Sequence, residues 1–439
     1  MSPSVLPGSI DLTPYNYVLS SYVYEHRPSA RPVTHGGFRE ETPTLKLGSF
    51  TFTLRPPTTM KRIFSALLSL FLLSAPLAQA TAPTPPALAA RAWLLYDAGS
   101  GQILAEQNGD ERIEPASLTK LMTAYVVFSA LKAKTISMDQ QVAVSENARK
   151  SSLDGSRMFI QPGLPVTVKQ LIQGMIVQSG NDACVALAEL ISGSEDAFVS
   201  RMNKEAQRLG MKNSQFKNAA GLTAEGHYMS PHDLAILSTA IARDFPEYFP
   251  FYSQKEFTYN KITQPNRNRL LYLDPTVDGM KTGHTAAAGF CLVSTAKRGS
   301  RRLISVVTGT SSDSVRTAES QKLLNYGFLA WETVKLYAAN APVQQVQVWQ
   351  GKTRTVPVGF EHDFVLSVPQ GDAQKIKVQL ESKQPLKAPI QKGAPLGSLK
   401  LSLDGTQIGA YPVVALEAVE QANFFVRMWD ALRLWIKNL

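Results

Sequence analysis

At 439 residues, 44% apolar and 18% charged, the chain has room for two or three domains and an ordinary globular composition, which excludes a fibrous or wholly disordered protein. Its formal charge of +10 suits an anionic surface such as phospholipid or wall polymer. No nucleic-acid partner is expected, because no Arg/Lys stripe with interleaved aromatics and no nucleic-acid motif is present.

Residues 1–59 are polar and Pro-rich, without a clear period. Met60-Lys61-Arg62 then opens a charged segment, residues 63–73 are apolar, and Ala78-Gln79-Ala80 supplies a small-x-small cleavage site. A secretory leader belongs at the start of a chain. The expectation is therefore that translation begins at Met60, that 1–59 is a mis-called, disordered extension, and that 60–80 is a signal peptide removed on export. Its apolar run is too short to span a membrane. Residues 81–91 read as a Pro-rich linker. Export brings Cys184 and Cys291 into an oxidising compartment, yet both sit in apolar patterns and are expected as buried free thiols.

Residues 92–96 and 102–106 flank Asp97-Ala98-Gly99-Ser100-Gly101 and predict a β-hairpin. From 117 to 242 the period is helical. Leu121, Met122, Tyr125, Val126 and Phe128 mark one helix, Leu171, Ile172, Met175 and Ile176 a second, and residues 183–190 a third. Ser230-Pro231-His232-Asp233 reads as a helix start, with Ser as N-cap and Pro in the first turn. After Lys281, residues 290–294 and 303–307 flank Lys297-Arg298-Gly299-Ser300 as a second hairpin, and a helix over 314–336 closes the domain. Strands at both ends with helices between predict an α+β domain over 92–338: one antiparallel sheet with a helical block inserted and packed against it.

Over 341–415 the pattern alternates at period two, as in Gln345-Val346-Gln347-Val348, and predicts a small β-rich domain. The tail, 420–439, predicts an amphipathic helix. Phe425, Met428, Trp429, Leu432, Trp435, Ile436 and Leu439 share one face, and Arg427, Asp430, Arg433 and Lys437 the other. Two Trp and a basic polar side suit a helix lying in a membrane interface; the competing reading docks it on the β-rich domain.

Three short motifs carry the chemistry. Ser-x-x-Lys occurs four times, at Ser117/Lys120, Ser129/Lys132, Ser214/Lys217 and Ser294/Lys297; Ser-x-Asn occurs twice and Lys-Thr-Gly once. Placement selects Ser117, which follows Glu114-Pro115-Ala116 and opens an apolar helix, where free N–H groups and the dipole favour an oxyanion. Lys120 shares its helix face and can serve as general base once burial and a second cation, here Lys281, depress its pKa. Without the other motifs Ser117 is an ordinary N-cap. Ser179-Gly180-Asn181 falls between two helices, where a hydroxyl can relay a proton and an amide can hold lysine and substrate; a plain turn uses the same residues. Lys281-Thr282-Gly283 opens the second strand group, where Gly283 lets a substrate backbone approach and Lys281 and Thr282 can hold a carboxylate. The six histidines have no metal-ligand spacing, and His227 and His232 read as surface residues beside a helix cap. No phosphate loop, metal or cofactor is expected.

The ordered triple is the penicillin-recognising signature. With the extended stretches Ser179-Gly180-Asn181-Asp182-Ala183-Cys184, Asn218-Ala219-Ala220-Gly221-Leu222, Asp278-Gly279-Met280-Lys281-Thr282-Gly283-His284-Thr285 and Arg316-Thr317-Ala318-Glu319-Ser320, the chain resembles the low-molecular-mass penicillin-binding proteins that are serine-type D-alanyl-D-alanine carboxypeptidases. The resemblance covers the chain from about Ala92 to the tail. It implies a β-lactamase/transpeptidase-like domain, a β-rich domain and a terminal amphipathic anchor. It also implies that Ser117 is acylated by a peptidoglycan stem peptide or a β-lactam, with Lys120 as base and Ser179 and Asn181 completing the proton path. Lys281, Thr282 and Arg316 then recognise the terminal carboxylate, and the Ser117 and His284 N–H groups form the oxyanion hole. The expected location is the periplasmic face of a bacterial inner membrane. DD-endopeptidase cleavage uses the same residues. A class A β-lactamase is disfavoured by Ser-Gly-Asn where that class has Ser-Asp-Asn, and by the lack of Glu-x-x-Leu-Asn between Asn181 and Lys281. An inactive wall-binding protein is disfavoured by the intact motif residues.

Overall fold

The computed structural model describes residues 82–437 apart from 152 and 154, so the extension expected over 1–59, the leader over 60–80 and Leu439 lie outside the described residues. The first hairpin joins β1 (Ala92–Asp97) to β2 (Gln102–Gln107), with Trp93 opposite Gln107. Asp97 holds the turn by accepting the N–H groups of Gly99 and Ser100.

The chain then leaves the sheet. A single 3-10 turn, Ala116–Thr119, runs straight into α1 (Lys120–Lys132), which is apolar and buried almost all round. Around it pack α2 (Val168–Val177), α3 (Asn181–Ser192), α4 (Glu195–Arg208) and α5 (Pro231–Asp244). Their starts follow local rules. Thr167 and Gln170 form a capping box for α2, and Ser230 Oγ accepts the Asp233 N–H at 3.2 Å for α5.

The sheet resumes as β3 (Val277–Thr285), β4 (Gly289–Arg298) and β5 (Arg301–Thr310), in antiparallel order β2-β1-β5-β4-β3. Both ends of the domain thus build one sheet, as expected, and β3 is left as an edge. Alternation sorts its two faces. Leu94, Val293, Ile304 and Val306 join the core of the helical block, while Trp93, Leu95, Leu292, Leu303 and Val307 turn the other way, against Leu323 and Leu324 of α6 (Asp313–Ala330).

The closing helix ends earlier than the sequence period suggests. Trp331–Tyr337 is β6, paired antiparallel with Phe364–Pro369. The run Trp-Glu-Thr-Val-Lys-Leu-Tyr is rich in aromatic and β-branched residues, and a long-range partner strand decides its state. The buried Asp97 ties the two modules together, accepting from Arg301, Thr333 and Ser367 side chains at 2.8, 2.7 and 3.0 Å.

The second module comprises β7 (Pro342–Trp349), β8 (Thr355–Gly359), β9 (Phe364–Pro369), β10 (Ile376–Ser382), β11 (Leu386–Lys387), β12 (Pro395–Leu403) and β13 (Thr406–Ala415). Six of these strands form a sheet in order β10-β12-β13-β8-β7-β11. Its core is aliphatic, with Val346, Val348, Val356, Val358, Leu399, Leu401 and Val413.

The tail is α7 (Phe424–Lys437). Asp430, expected on the polar face, is fully buried there: it accepts the Gln350 N–H at 2.7 Å and two bonds from the Arg354 guanidinium at 2.7 and 2.6 Å. Leu434 is buried beside it, and Arg433 and Lys437 lie over the Trp349 ring. The helix therefore docks through its polar side. Phe424, Phe425, Met428, Trp429, Leu432, Trp435 and Ile436 remain exposed. Among the described residues no helix is long and apolar enough to cross a membrane.

Candidate active site

The three motifs meet at a cavity of about 670 Å³ lined by Ser117, Ser179, Thr282, Gly283, His284 and Arg316. Ser117 lies on the 3-10 turn before α1, which Ala116 enters with φ 46° and the Leu118 N–H closes on the Pro115 carbonyl at 3.0 Å. Gly283 has a more local duty than the sequence suggests: a Cβ there would lie 3.0 Å from the Pro115 carbonyl oxygen and 3.2 Å from Leu118. The missing side chain lets the edge strand β3 press against the Ser117 turn as well as line the cavity.

Lys120 is buried, and its Nζ donates to Ser117 Oγ at 2.9 Å, Asn181 Oδ1 at 2.8 Å and the Ala220 carbonyl at 2.6 Å. Burial is the largest influence on this amine and lowers its pKa from the ordinary 10.5; Arg267 lowers it further, while Cys184 and Asp182 oppose the shift. Arg267 thus acts on Lys120 beside the expected second cation, Lys281, whose repulsion with Lys120 is mutual. Lys281 is itself buried, does not line the cavity, and donates to the Thr282 carbonyl at 3.1 Å. Burial, then Lys120 and Arg267, push its pKa well below the ordinary value.

Ser179 sits in the left-handed region at φ 63°, and among the described residues its buried Oγ has no hydrogen-bond partner. Asn181 opens α3 and is buried against the segment before Met158: its N–H donates to the Ser156 carbonyl at 2.8 Å. Asp182 fastens the same segment by accepting the N–H groups of Met158, Phe159 and Ile160. Arg316 donates to the carbonyls of Gly283 and Cys291 at 3.1 and 3.3 Å, and ion-pairs with Asp313. His284 is exposed at the cavity and packs on Phe290 at 4.0 Å between centroids. Both cysteines are buried free thiols, as expected, and burial raises Cys184 to about 12 and Cys291 to about 11.

The stretch 218–222 is a brace. Gly221, at φ 84°, packs so closely that a Cβ would lie 1.8 Å from the Ala116 carbonyl oxygen, and the Ala219 carbonyl accepts Thr123 Oγ1 at 2.6 Å. His227 is not a surface residue. It is buried, with Nε2 3.0 Å from Thr119 Oγ1 beside Lys120, and burial lowers its pKa to about 4. The helix cap that suggested exposure belongs to His232, five residues on. Arg267, Arg269 and Asp313 also line the cavity and were not singled out from the sequence. Asn266-Arg267-Asn268-Arg269 carries no spacing tied to any motif, so only the fold reveals them.

A serine beside a buried, pKa-depressed lysine, facing a cavity rimmed by guanidiniums, is the apparatus of an active-site serine peptidase acting next to a carboxylate. Residues 79–312 match the family model described as D-alanyl-D-alanine carboxypeptidase, and 331–421 that of the penicillin-binding protein 5 C-terminal domain. The chain belongs to this serine-type D-alanyl-D-alanine carboxypeptidase family, in the penicillin-binding protein 5/6 group. It is 44% identical to the D-alanyl-D-alanine carboxypeptidase DacC of Escherichia coli K12 over 372 residues, 83% of this chain and 93% of that one. The structure of penicillin-binding protein 5 from Haemophilus influenzae matches with a TM-score of 0.76 at 42% identity, covering 77% of this chain and all of that one. Penicillin-binding protein D2 from Listeria monocytogenes, in its ampicillin-bound form, matches with a TM-score of 0.51 at 32% identity, covering 56% of this chain and all of that one.

Proposed function

We propose that the chain removes the terminal D-alanine of peptidoglycan stem pentapeptides through an acyl-enzyme on Ser117. The observation that carries this reading is the 2.9 Å contact between Lys120 Nζ and Ser117 Oγ, inside a site where burial favours the neutral amine. Neutral Lys120 takes the Ser117 proton as Oγ attacks the penultimate carbonyl. The Ser117 and His284 N–H groups stabilise the oxyanion. The Ser179 hydroxyl passes a proton to the departing amine, with Asn181 keeping Lys120 aimed. Thr282 and Arg316 take the terminal carboxylate, and Lys281 adjusts the field on Lys120 from behind the cavity wall. Water then hydrolyses the acyl-enzyme. A β-lactam acylates the same serine and is released slowly.

The test incubates purified protein with a D-Ala-D-Ala-terminated pentapeptide and assays free D-alanine. Release that survives Ser117→Ala overturns the mechanism, as does labelled penicillin that marks the protein elsewhere than Ser117.

The chain is further proposed to work outside the cytoplasm, held at the periplasmic face of the inner membrane by α7. The exposed row from Phe424 to Ile436 supports this: the polar side is occupied by docking, so the apolar side is free for lipid. Removing residues 423–439 should release the protein from anionic lipid vesicles. Undiminished vesicle binding by the truncated chain would sink the idea.

A further inference from the structure

The second module carries a slot unconnected with the catalytic cavity. β7 has β8 along one side, but along the other it meets a strand only at its end, where Val348 and Trp349 pair with Leu386 and Lys387 of β11. The backbone alternation can be followed bond by bond. The Val348 N–H donates to the Arg354 carbonyl at 2.8 Å, whereas the Trp349 carbonyl accepts the Ala388 N–H at 2.9 Å, on the opposite side. Odd-numbered residues of β7 therefore point their N–H and C=O groups away from β8. Gln345 lies opposite Pro357, a residue with no N–H, as a non-hydrogen-bonded pair permits. The parallel pairing with β11 occupies the Gln347 carbonyl, which faces the Leu386 N–H, so the groups presented to a side that no strand occupies among the described residues are the Gln345 N–H and C=O and the Gln347 N–H.

That side is a groove of about 360 Å³. Gln344, Gln345, Val346 and Gln347 form one wall, Leu380 and Ser382 of β10 the facing wall, and Gln384-Pro385 one end. Leu434 and Lys437 of α7 supply the rim. An open edge is normally blunted by Pro, Lys or a covering element. Here it is recessed rather than covered. Four residues of β7 offer roughly 13 Å of ladder. The surroundings are basic: Lys383, Lys387 and Lys437 make no ion pair among the described residues, while Glu381 is engaged by Lys400 at 2.5 Å. Trp349 also lines the groove, but it is only 6% exposed and its ring lies beneath Arg433 and Lys437, so little of it is open to a sugar ring.

We propose that this groove is a docking site for an extended acidic segment of a partner protein, which adds to the module as a strand along Gln344–Gln347. Main-chain bonds supply the ladder, the Leu380 wall accepts alternate apolar side chains, and the lysines select acidic residues. The pairing is indifferent to the carboxypeptidase reaction.

The probe is a fluorescein-labelled peptide of alternating Glu and Val, six residues long, titrated against the full chain by anisotropy. Saturable binding is expected, at least tenfold weaker for the Lys-Val counterpart and for a peptide with Pro at its centre. Gln345→Pro and, independently, Ser382→Trp should each weaken binding at least tenfold with D-alanine release unchanged. Amide exchange on the unmodified protein supplies a measurement free of folding effects, with the Gln345 and Gln347 N–H groups slowed by the peptide. No saturable binding, equal binding of the Lys-Val peptide, competition by a β-lactam, or unchanged exchange at Gln345 and Gln347 each overturns the proposal. So does edge-to-edge dimerisation of the free protein that Gln345→Pro abolishes.

Discussion

The two ends of this molecule bury charge in opposite ways. At the catalytic cavity Lys120 and Lys281 are buried with neutral hydrogen-bond acceptors and a further cation, Arg267, close by. Their protonated forms are poorly compensated, so the pKa values fall. At the tail Asp430 has no exposed surface but lies at a shallower depth than the lysines; burial is outweighed there by Arg354, the Gln350 N–H and Arg433, and its pKa lies below the ordinary carboxylate value. An under-compensated charge becomes a base. A compensated one becomes a fastener. Depth of burial and the partners decide together.

The most damaging way to break the catalytic side of this contrast is to remove its nucleophile. Ser117→Ala should lower D-alanine release by ~10⁴-fold or more, and labelled penicillin should no longer attach. Next comes the brace. Gly221→Ala forces a Cβ to within 1.8 Å of the Ala116 carbonyl at a left-handed φ, so the Ser117 turn must shift. An ångström of displacement is enough to cost acylation about 10²-fold. Stopped-flow penicillin binding would read this. An unaltered acylation rate would mean the 218–222 segment gives way instead.

The fastener is tested by Asp430→Ala, which leaves Arg354 and the Gln350 N–H without their acceptor. Arg354 is more than half exposed and recovers water, so the loss is roughly 1–3 kcal/mol of docking. Cleavage near residue 422 by a protease should accelerate while D-alanine release is unchanged. The pH dependence has a definite sign. Asp430 is more acidic folded than unfolded, so its contribution is present above the unfolded value of about 4 and disappears as pH falls through the lower folded value. Acid should therefore loosen α7 in the native protein and have no such effect in Asp430→Ala.

Local chemistry made the elements legible and non-local chemistry hid their surroundings. The Ser230 cap, the two hairpins and the helical period around Leu121 depend on neighbours a few residues away, and they were readable. So were Ser117, Lys120, Ser179 and Thr282, because the motifs are short. Trp331–Tyr337 was misread as helix because its state is set by a partner some thirty residues on. Helical period puts Asp430 on the polar face but cannot say that Arg354, 76 residues away, will meet it. His227 and Arg267 belong to the same class, reaching the site from loops without a signature.

The finest test turns on Arg267. Its charge is one of the influences that hold Lys120 and Lys281 below their ordinary pKa. Removing it in Arg267→Gln should raise both. Because Lys120 must be neutral to accept the Ser117 proton, the rising limb of the acylation rate against pH should move to higher pH, and the rate below that limb should drop. The limb is read at saturating substrate, which separates it from any loss of carboxylate affinity. Arg269→Gln is the control. Arg269 lines the same cavity but pairs with Asp313 at 3.4 Å and is not among the charges acting on Lys120, so its limb should stay where it is. Equal shifts in both variants would mean that the lysine feels the net charge of the cavity rather than one placed guanidinium. No shift in either would leave desolvation and the mutual repulsion of Lys120 and Lys281 as the causes, with no role for the guanidiniums of the cavity.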